Sequence, residues 1–541
     1  MSVRIGPSPD AGARAETECF ENGAARFGAP AVEAWRRPAR PAQGCTMTSV
    51  TSEPIAIAET VQDANDKLTL PALTAMVVGS MVGAGVFQLP ARFATQTGVY
   101  GAVIAWAIAG TGMLTLAFVF QALAIRKPDL NNGVYVYART GFGVYPGFLS
   151  AIGFWASACA GNAFYWVLIM TTLSQLFPPL SGAFGTGDTW PAFFVSVAAV
   201  WGYYFLICRG VKEAALINFI ATIAKLAPLA LFLVLVIFFF NGKVFVDNLT
   251  GGYDVPGGES LFMQVQGTML ITVFVFLGIE GASVYSRYAK RREDVGTATV
   301  LGFLSVLALF ASLSILSYGI LPKAEIAGLS QPSVGGVLEA AVGPWGGAFI
   351  RVGLIISVLG AYLAWQLLAA DVVFAAAKDG DMPRHFAELN SKEVPQPAVL
   401  WTSVFVTLIL FAVQFVKNAL DFTLDLTAAL SLMPFALASA YAVKIAWQRD
   451  GYDGESSGGR TRELVIAAVS TVYGLFLIWA AGYKFLFLAC ILLAPATLLY
   501  YLARREQKAK VFTGAGLAVF LVVLAFAVTG VVLLATGVVQ V

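Results

Sequence analysis

Apolar segments of roughly 20 residues recur from Pro71 to the end of this chain, each long enough to cross a ~30 Å hydrocarbon core as a helix. The pattern predicts spans near 71–90, 99–124, 145–177, 190–208, 214–240, 261–285, 297–320, 346–376, 398–416, 423–447, 463–482, 485–502 and 513–536. Only the short break Gly482-Tyr483-Lys484 divides the 463–502 region, so the expectation is 12–13 transmembrane helices. Two spans are interrupted by glycine in matching places. The first carries Gly79-Ser80-Met81-Val82-Gly83-Ala84-Gly85, and the sixth carries Gly278-Ile279-Glu280-Gly281. Glycine costs about 1 kcal/mol relative to alanine in a helix interior, so such runs weaken the helix locally. Backbone unwinds at membrane depth only where it lines a cavity or is buried in protein. A matched pair of interruptions points to a transporter's substrate site. The same small residues also suit close helix–helix packing.

Composition agrees with the pattern. Of 541 residues, 58% are hydrophobic and 12% charged, with a mean hydropathy of +0.76. Soluble domains carry roughly 25% charged residues, so the chain is read as an all-α polytopic membrane protein. Residues 1–66 differ: rich in Ala, Gly, Pro, Arg and Glu, they lack a signal-peptide core and are expected to be a disordered N-terminal extension. Met47 is an alternative start, and residues 67–541 form the transporter domain.

The net charge of +2 says little about partners, but its placement does. One set of alternating loops carries Arg126, Lys127 and Arg139, then Lys290, Arg291 and Arg292, and so on to Arg504 and Arg505. The other set holds mainly Lys243, Lys323, Arg351, Lys417 and Lys484. The positive-inside rule then puts the N-terminus in the cytoplasm of a cell whose inner membrane holds the protein. Thirteen spans would leave the C-terminus outside, twelve inside.

Several classes are disfavoured. No Gly-x-x-x-x-Gly-Lys-Ser/Thr run is present, which argues against ATP-driven transport. The loops are too short for a catalytic domain, so no enzyme activity is expected. Pore-filter sequences and acidic rings are absent. The cysteines form no Cys-x-x-Cys pair and the single histidine, His385, sits in a charged loop, so no metal or other cofactor is expected. The expected partners are a small-molecule substrate and membrane lipid, with no nucleic acid.

The broken spans carry the candidate chemistry. If Ser80 to Gly85 unwinds, its amide N–H groups, those of Gly83, Ala84 and Gly85 among them, form a backbone anion site suited to a carboxylate. Carbonyls at the end of the first half of the sixth span, near Gly278, suit an ammonium group. Together they would hold both ends of an α-amino acid. Glu280 lies well inside the sixth span, where an ionisable residue costs at least ~2.5 kcal/mol and is a functional candidate. It either exchanges protons, stays ionised to attract a cation, or bonds a neighbouring helix. Lys225, inside the fifth span, is placed to substitute for a bound sodium ion, or to pair with a backbone carbonyl or with Glu280. Trp365 in the eighth span and Phe274 in the sixth offer aromatic faces, worth up to ~2 kcal/mol to a desolvated cation. Both also suit ordinary core packing. Asn162 in the third span offers a carbonyl oxygen to a side-chain donor, or serves to join helices.

The first span, Gly79 through Pro90, resembles the motif of the amino acid–polyamine–organocation superfamily, and Phe276-Leu277-Gly278-Ile279-Glu280-Gly281-Ala282-Ser283 resembles that superfamily's sixth span. Lys127-Pro128-Asp129-Leu130, Gly133-Val134-Tyr135, Gly141-Phe142-Gly143 and Tyr288-Ala289-Lys290-Arg291-Arg292 look most like the arginine/ornithine antiporters of its basic amino acid/polyamine antiporter family. The resemblance runs from about Leu68 to the C-terminus. It implies an inverted five-plus-five helix repeat working by alternating access, and a possible homodimer. It also implies that Met81, Ala84, Gly85 and the stretch Phe274 to Ile279 bind the α-carboxylate and α-amino groups. Trp365 would stack on the substrate stem, Asn162 would meet a guanidinium, and Glu280 would link binding to protonation and gating. Phe274 and Ala84 stand where arginine/agmatine exchangers have a tryptophan and a serine, so carboxylate contact must rely more on backbone. Lys225 resembles the fifth-span lysine of proton-coupled permeases that occupies the sodium site.

The expected function is exchange of external arginine for internal ornithine, both cations of equal charge. Arginine/agmatine or lysine/cadaverine exchange, or proton-coupled uptake, are the alternatives within transport. An amino acid sensor without significant flux is disfavoured by the lack of a long cytoplasmic effector domain.

Overall fold

The computed structural model describes residues 69–130, 134–210, 214–280, 292–452 and 457–539. The N-terminal extension and residues 281–291, which carry the rest of the sixth-span motif, lie outside them. The described residues are helical with no strand. Among the described residues, eleven helices are long and apolar enough to cross a membrane, and a bent pair, Leu70–Met81 with Ala84–Gln96, makes a twelfth. The sixth expected span is a shorter apolar helical stretch, Leu261–Val275, followed by turns to Glu280. The doubtful 463–502 region divides at Gly482 into Ser457–Ala480 and Gly482–Glu506.

Local chemistry sets the ends of several spans. Thr189 opens the fourth, Trp190–Cys208, by accepting from the Ala192 amide at 3.3 Å. Asn418 does the same for the tenth, Ala419–Gln448, through the Asp421 amide. Arg449 closes that span in the left-handed conformation.

Spans five apart match in detail. The first and sixth are the broken ones. The third, Val144–Leu176, has 33 residues and the eighth, Pro344–Lys378, has 35, and the two pack on each other. Each follows directly from a short helix, Val134–Phe142 or Ser333–Val342. The joints are Gly143 at φ 103°, ψ 176° and Gly343 at φ 91°, ψ −177°, a conformation open to glycine and strained for other residues. Five is an odd number of crossings, so the matched spans run in opposite senses, as an inverted five-plus-five repeat requires.

Both short helices were invisible to hydropathy, being too brief to register as spans. The third span is the hub, packed on the eighth and tenth, with 94% of its central window buried. In the last span, Gly514–Ala535, only 17% is buried, which leaves its apolar side chains facing outward.

Candidate functional site

The first span stops being α-helical at Met81. Val82 and Gly83 are extended, Ala84–Gln88 form a 3₁₀ turn, and Leu89–Gln96 resumes as α-helix after a 57° bend. The unwound stretch is therefore narrower than the expected Ser80 to Gly85. Amides at the start of the 3₁₀ turn have no acceptor inside it, which leaves those of Gly83, Ala84 and Gly85 aimed away from the ladder.

The first half of the sixth span ends at Val275. Leu277 N–H then reaches the Phe274 carbonyl and Ile279 N–H the Phe276 carbonyl, each at 3.2 Å. The Val275 carbonyl stays outside this ladder. Gly278 adopts φ 103° with its Cα directly against the Ser80 carbonyl; a Cβ there would lie 2.3 Å from that oxygen. The two breaks thus touch, backbone to backbone, and only glycine allows it.

Charged side chains brace both breaks. Lys225 reaches across from the fifth span, Ala214–Phe238, and its Nζ donates to the Gly79 carbonyl at 2.6 Å. A cation at the carbonyl end of a half-helix is favourably placed. Of the partners expected for Lys225, the backbone carbonyl of Gly79 is the one it bonds. Glu280 accepts from the Gly278 amide through Oε2 at 3.1 Å.

Where the breaks meet, a cavity of roughly 20 Å³ is lined by Met81, Gly83, Ala84, Gly85, Phe274 and Trp365, together with Ser80, Gly161, Tyr165, Val275, Leu277 and Thr427. That holds about one water molecule, far less than an amino acid. Phe274 helps to close it: its ring lies against Gly85 and meets Phe164 edge-on at 4.9 Å. A larger cavity of roughly 630 Å³ opens between the second, seventh, tenth and eleventh spans and touches neither break.

Eight expected residues come together at the small cavity, Val275 and Leu277 of the expected stretch among them. Gly278 and Ile279 sit behind its wall, Gly278 as the contact to the first break and Ile279 buried. Asn162 does not line it either; its Nδ2 donates to Gln366 of the eighth span. Tyr165 and Thr427 were missed, and nothing in their apolar surroundings marks them out. On the side where the first span ends, Arg92 bonds Asp421 at 2.9 Å and Asp425 at 2.5 Å, with Asp425 two residues before Thr427. These ion pairs tie the second half of the first span to the tenth. Asp425 lies within the predicted tenth span, so an intramembrane acid was there to be noticed.

On the opposite side, Arg139 of the short helix bonds Asp381 at 2.7 Å, and Tyr135 donates to Asp379. Burial pushes the Asp381 carboxyl up to about 6, against the opposing pull of Arg139 and Arg504. Burial and the Asp379 carboxylate together push the Tyr135 hydroxyl well above its ordinary range.

Residues 68–527 match the family model described as amino acid permease. The chain is 44% identical over 459 residues to the arginine/ornithine antiporter of Pseudomonas aeruginosa, which covers 84% of this chain and 94% of that protein. It is 37% identical over 445 residues to the arginine/agmatine antiporter of Chlamydia pneumoniae (82% and 91% covered). It is also 37% identical over 491 residues to the L-lysine transport protein of Corynebacterium glutamicum (87% and 95% covered).

Proposed function

This chain belongs to the amino acid permease family, and we propose that it is an antiporter exchanging external arginine for internal ornithine across the cytoplasmic membrane. The observation that carries the reading is the contact between the two breaks. It brings Gly83, Ala84 and Gly85, whose amides lie outside the 3₁₀ ladder, to one cavity with Val275 of the sixth span and Trp365. Amides suit the α-carboxylate, the Val275 carbonyl suits the α-ammonium, and Trp365 suits the stem or cationic tip. The alternation of Lys and Arg between loops supports an N-terminus in the cytoplasm.

The cavity is contracted, so binding requires it to open. From outside, Arg92 must part from Asp421 and Asp425, which frees the path to Thr427 and Trp365. From inside, the first half of the first span must swing, which stretches the bond from Lys225 to Gly79. Lys225 supplies a fixed positive charge at the end of that half-helix, where a sodium ion would otherwise be useful. No chemical bond is made or broken in the cycle. Because arginine and ornithine carry equal charge, one-for-one exchange is electroneutral and follows the two gradients.

Counterflow in proteoliposomes tests this. Internal ornithine should accelerate entry of labelled arginine severalfold over empty vesicles. Entry indifferent to internal ornithine would defeat antiport. Glu280 favours a second reading, uptake of a basic amino acid with a proton. That reading predicts arginine entry into empty vesicles driven by an inward proton gradient, which the exchanger lacks.

A further inference from the structure

Asn162 has an acceptor end and a donor end, and the end that meets a ligand decides what the ligand can be. The residue is fully buried in the third span. Its Nδ2 donates to Gln366 Oε1 in the eighth span at 2.9 Å. Gln366 Nε2 donates to Ser403 Oγ in the ninth span, Gln396–Val413, also at 2.9 Å. Ser403 Oγ donates in turn to the Val399 carbonyl at 2.9 Å. A hydroxyl has one proton, and this one is committed to a carbonyl that has none to return. Ser403 can therefore only accept from Gln366. Gln366 must turn its NH₂ toward Ser403 and its oxygen toward Asn162, and Asn162 must turn its NH₂ toward Gln366.

The orientation of Asn162 is thus set by the backbone of the ninth span, three links away. What remains is its Oδ1, buried and without a hydrogen-bond partner. A buried acceptor left without a donor is costly and calls for a reason. The position offers one. Asn162 lies between Gly161 and Tyr165, both at the cavity, and Gln366 follows Trp365, also at the cavity. Both amides of the relay thus stand one residue along their helices from positions that line the cavity.

We propose that Gln366, held by Ser403, is a positioning residue for side-chain selectivity: it presents Asn162 to the opened cavity as an acceptor only. The inference rests on the reading of the protein as a carrier of basic amino acids. Guanidinium and ammonium groups carry donors and no acceptor, so they complement Oδ1 in every orientation. A neutral urea of the same length brings a carbonyl oxygen and no charge, and matches only when that oxygen turns away. With Gln366 gone, the Asn162 amide is free to rotate and to offer its NH₂ to such an oxygen.

The test measures equilibrium binding of arginine and of citrulline, its neutral urea analogue, to the full chain in detergent. Gln366→Leu should weaken arginine binding about tenfold and lower the arginine-over-citrulline ratio by a similar factor. Ser403→Ala, which releases the far end of the relay, should shift the ratio the same way by about threefold. A relay that merely joins helices would weaken both ligands equally. An unchanged ratio in these variants therefore overturns the proposal, and if Gln366→Leu does not fold, Ser403→Ala decides alone. Should the unaltered chain bind neither arginine nor any other basic amino acid, the underlying reading fails, and the proposal with it.

Discussion

The two broken spans are held in different ways. In the first, the charge comes from elsewhere: Lys225 of the fifth span donates to the Gly79 carbonyl. In the sixth, the charge is local: Glu280 accepts from Gly278, two residues away in the same loop. A cap borrowed from another span must stretch when the first half-helix moves. A cap carried within the loop travels with it. The first break is therefore tied through Lys225 to the fifth span, and the sixth carries at least one cap within its own loop. Their backbone contact, Gly278 against the Ser80 carbonyl, and the packing of Phe274 on Gly85 keep them in register.

The largest effect is expected where the two breaks touch. Gly278→Ala puts a Cβ into the Ser80 carbonyl at a φ of 103°, so it forces the breaks apart. Exchange should fall more than about 100-fold, with a loss of about 3 kcal/mol or more in stability. Counterflow and thermal unfolding check this, and near-normal exchange would mean that the breaks need not touch.

Lys225→Met sharpens the contrast from the first break's side. It leaves the half-buried Gly79 carbonyl without its donor, at a cost of about 1 kcal/mol, and should slow exchange about tenfold. Full activity would show that the borrowed cap is dispensable.

Glu280→Gln probes the sixth break more gently. The amide oxygen can still accept from Gly278, so arginine affinity should change less than about threefold. The pH dependence of transport should flatten, because the titrating group is gone. An unaltered pH profile would remove Glu280 from any proton role.

The smallest effect lies away from both breaks. The Asp381 carboxyl is raised in the folded protein to about 6 from 3.8. The folded state then holds this proton more tightly than the unfolded chain does. Its contribution to stability is full below pH about 4 and is lost as pH rises through about 6. Asp381→Asn should remove that slope, worth about 3 kcal/mol, from thermal unfolding curves and leave exchange rates unchanged. A variant that slows exchange would make this brace part of the moving machinery.

Much of the fold was legible beforehand because a bilayer leaves little freedom. Each span must satisfy its own backbone, so length and hydropathy alone reveal it, and glycine runs reveal where it fails. Helices 134–142 and 333–342 escaped because they cross nothing. Met81, Gly83, Ala84, Gly85, Phe274 and Trp365 were named in advance and do share a cavity. Tyr165 and Thr427 were not. The third span is buried on nearly all sides, and a helix apolar all round has no periodicity to say which face meets the cavity.

The sequence by itself determined the spans, the two breaks and the presence of Lys225 and Glu280 at membrane depth. These follow from local chemistry, the cost of unpaired backbone and of charge in hydrocarbon. Only the tertiary structure decided that Lys225 turns to Gly79 and not to Glu280, that Gly278 meets Ser80, and that Asn162 turns its amide to Gln366. Such choices join residues 146 to 204 positions apart. They depend on which faces of separate helices meet, and no local pattern in a uniformly apolar chain encodes that.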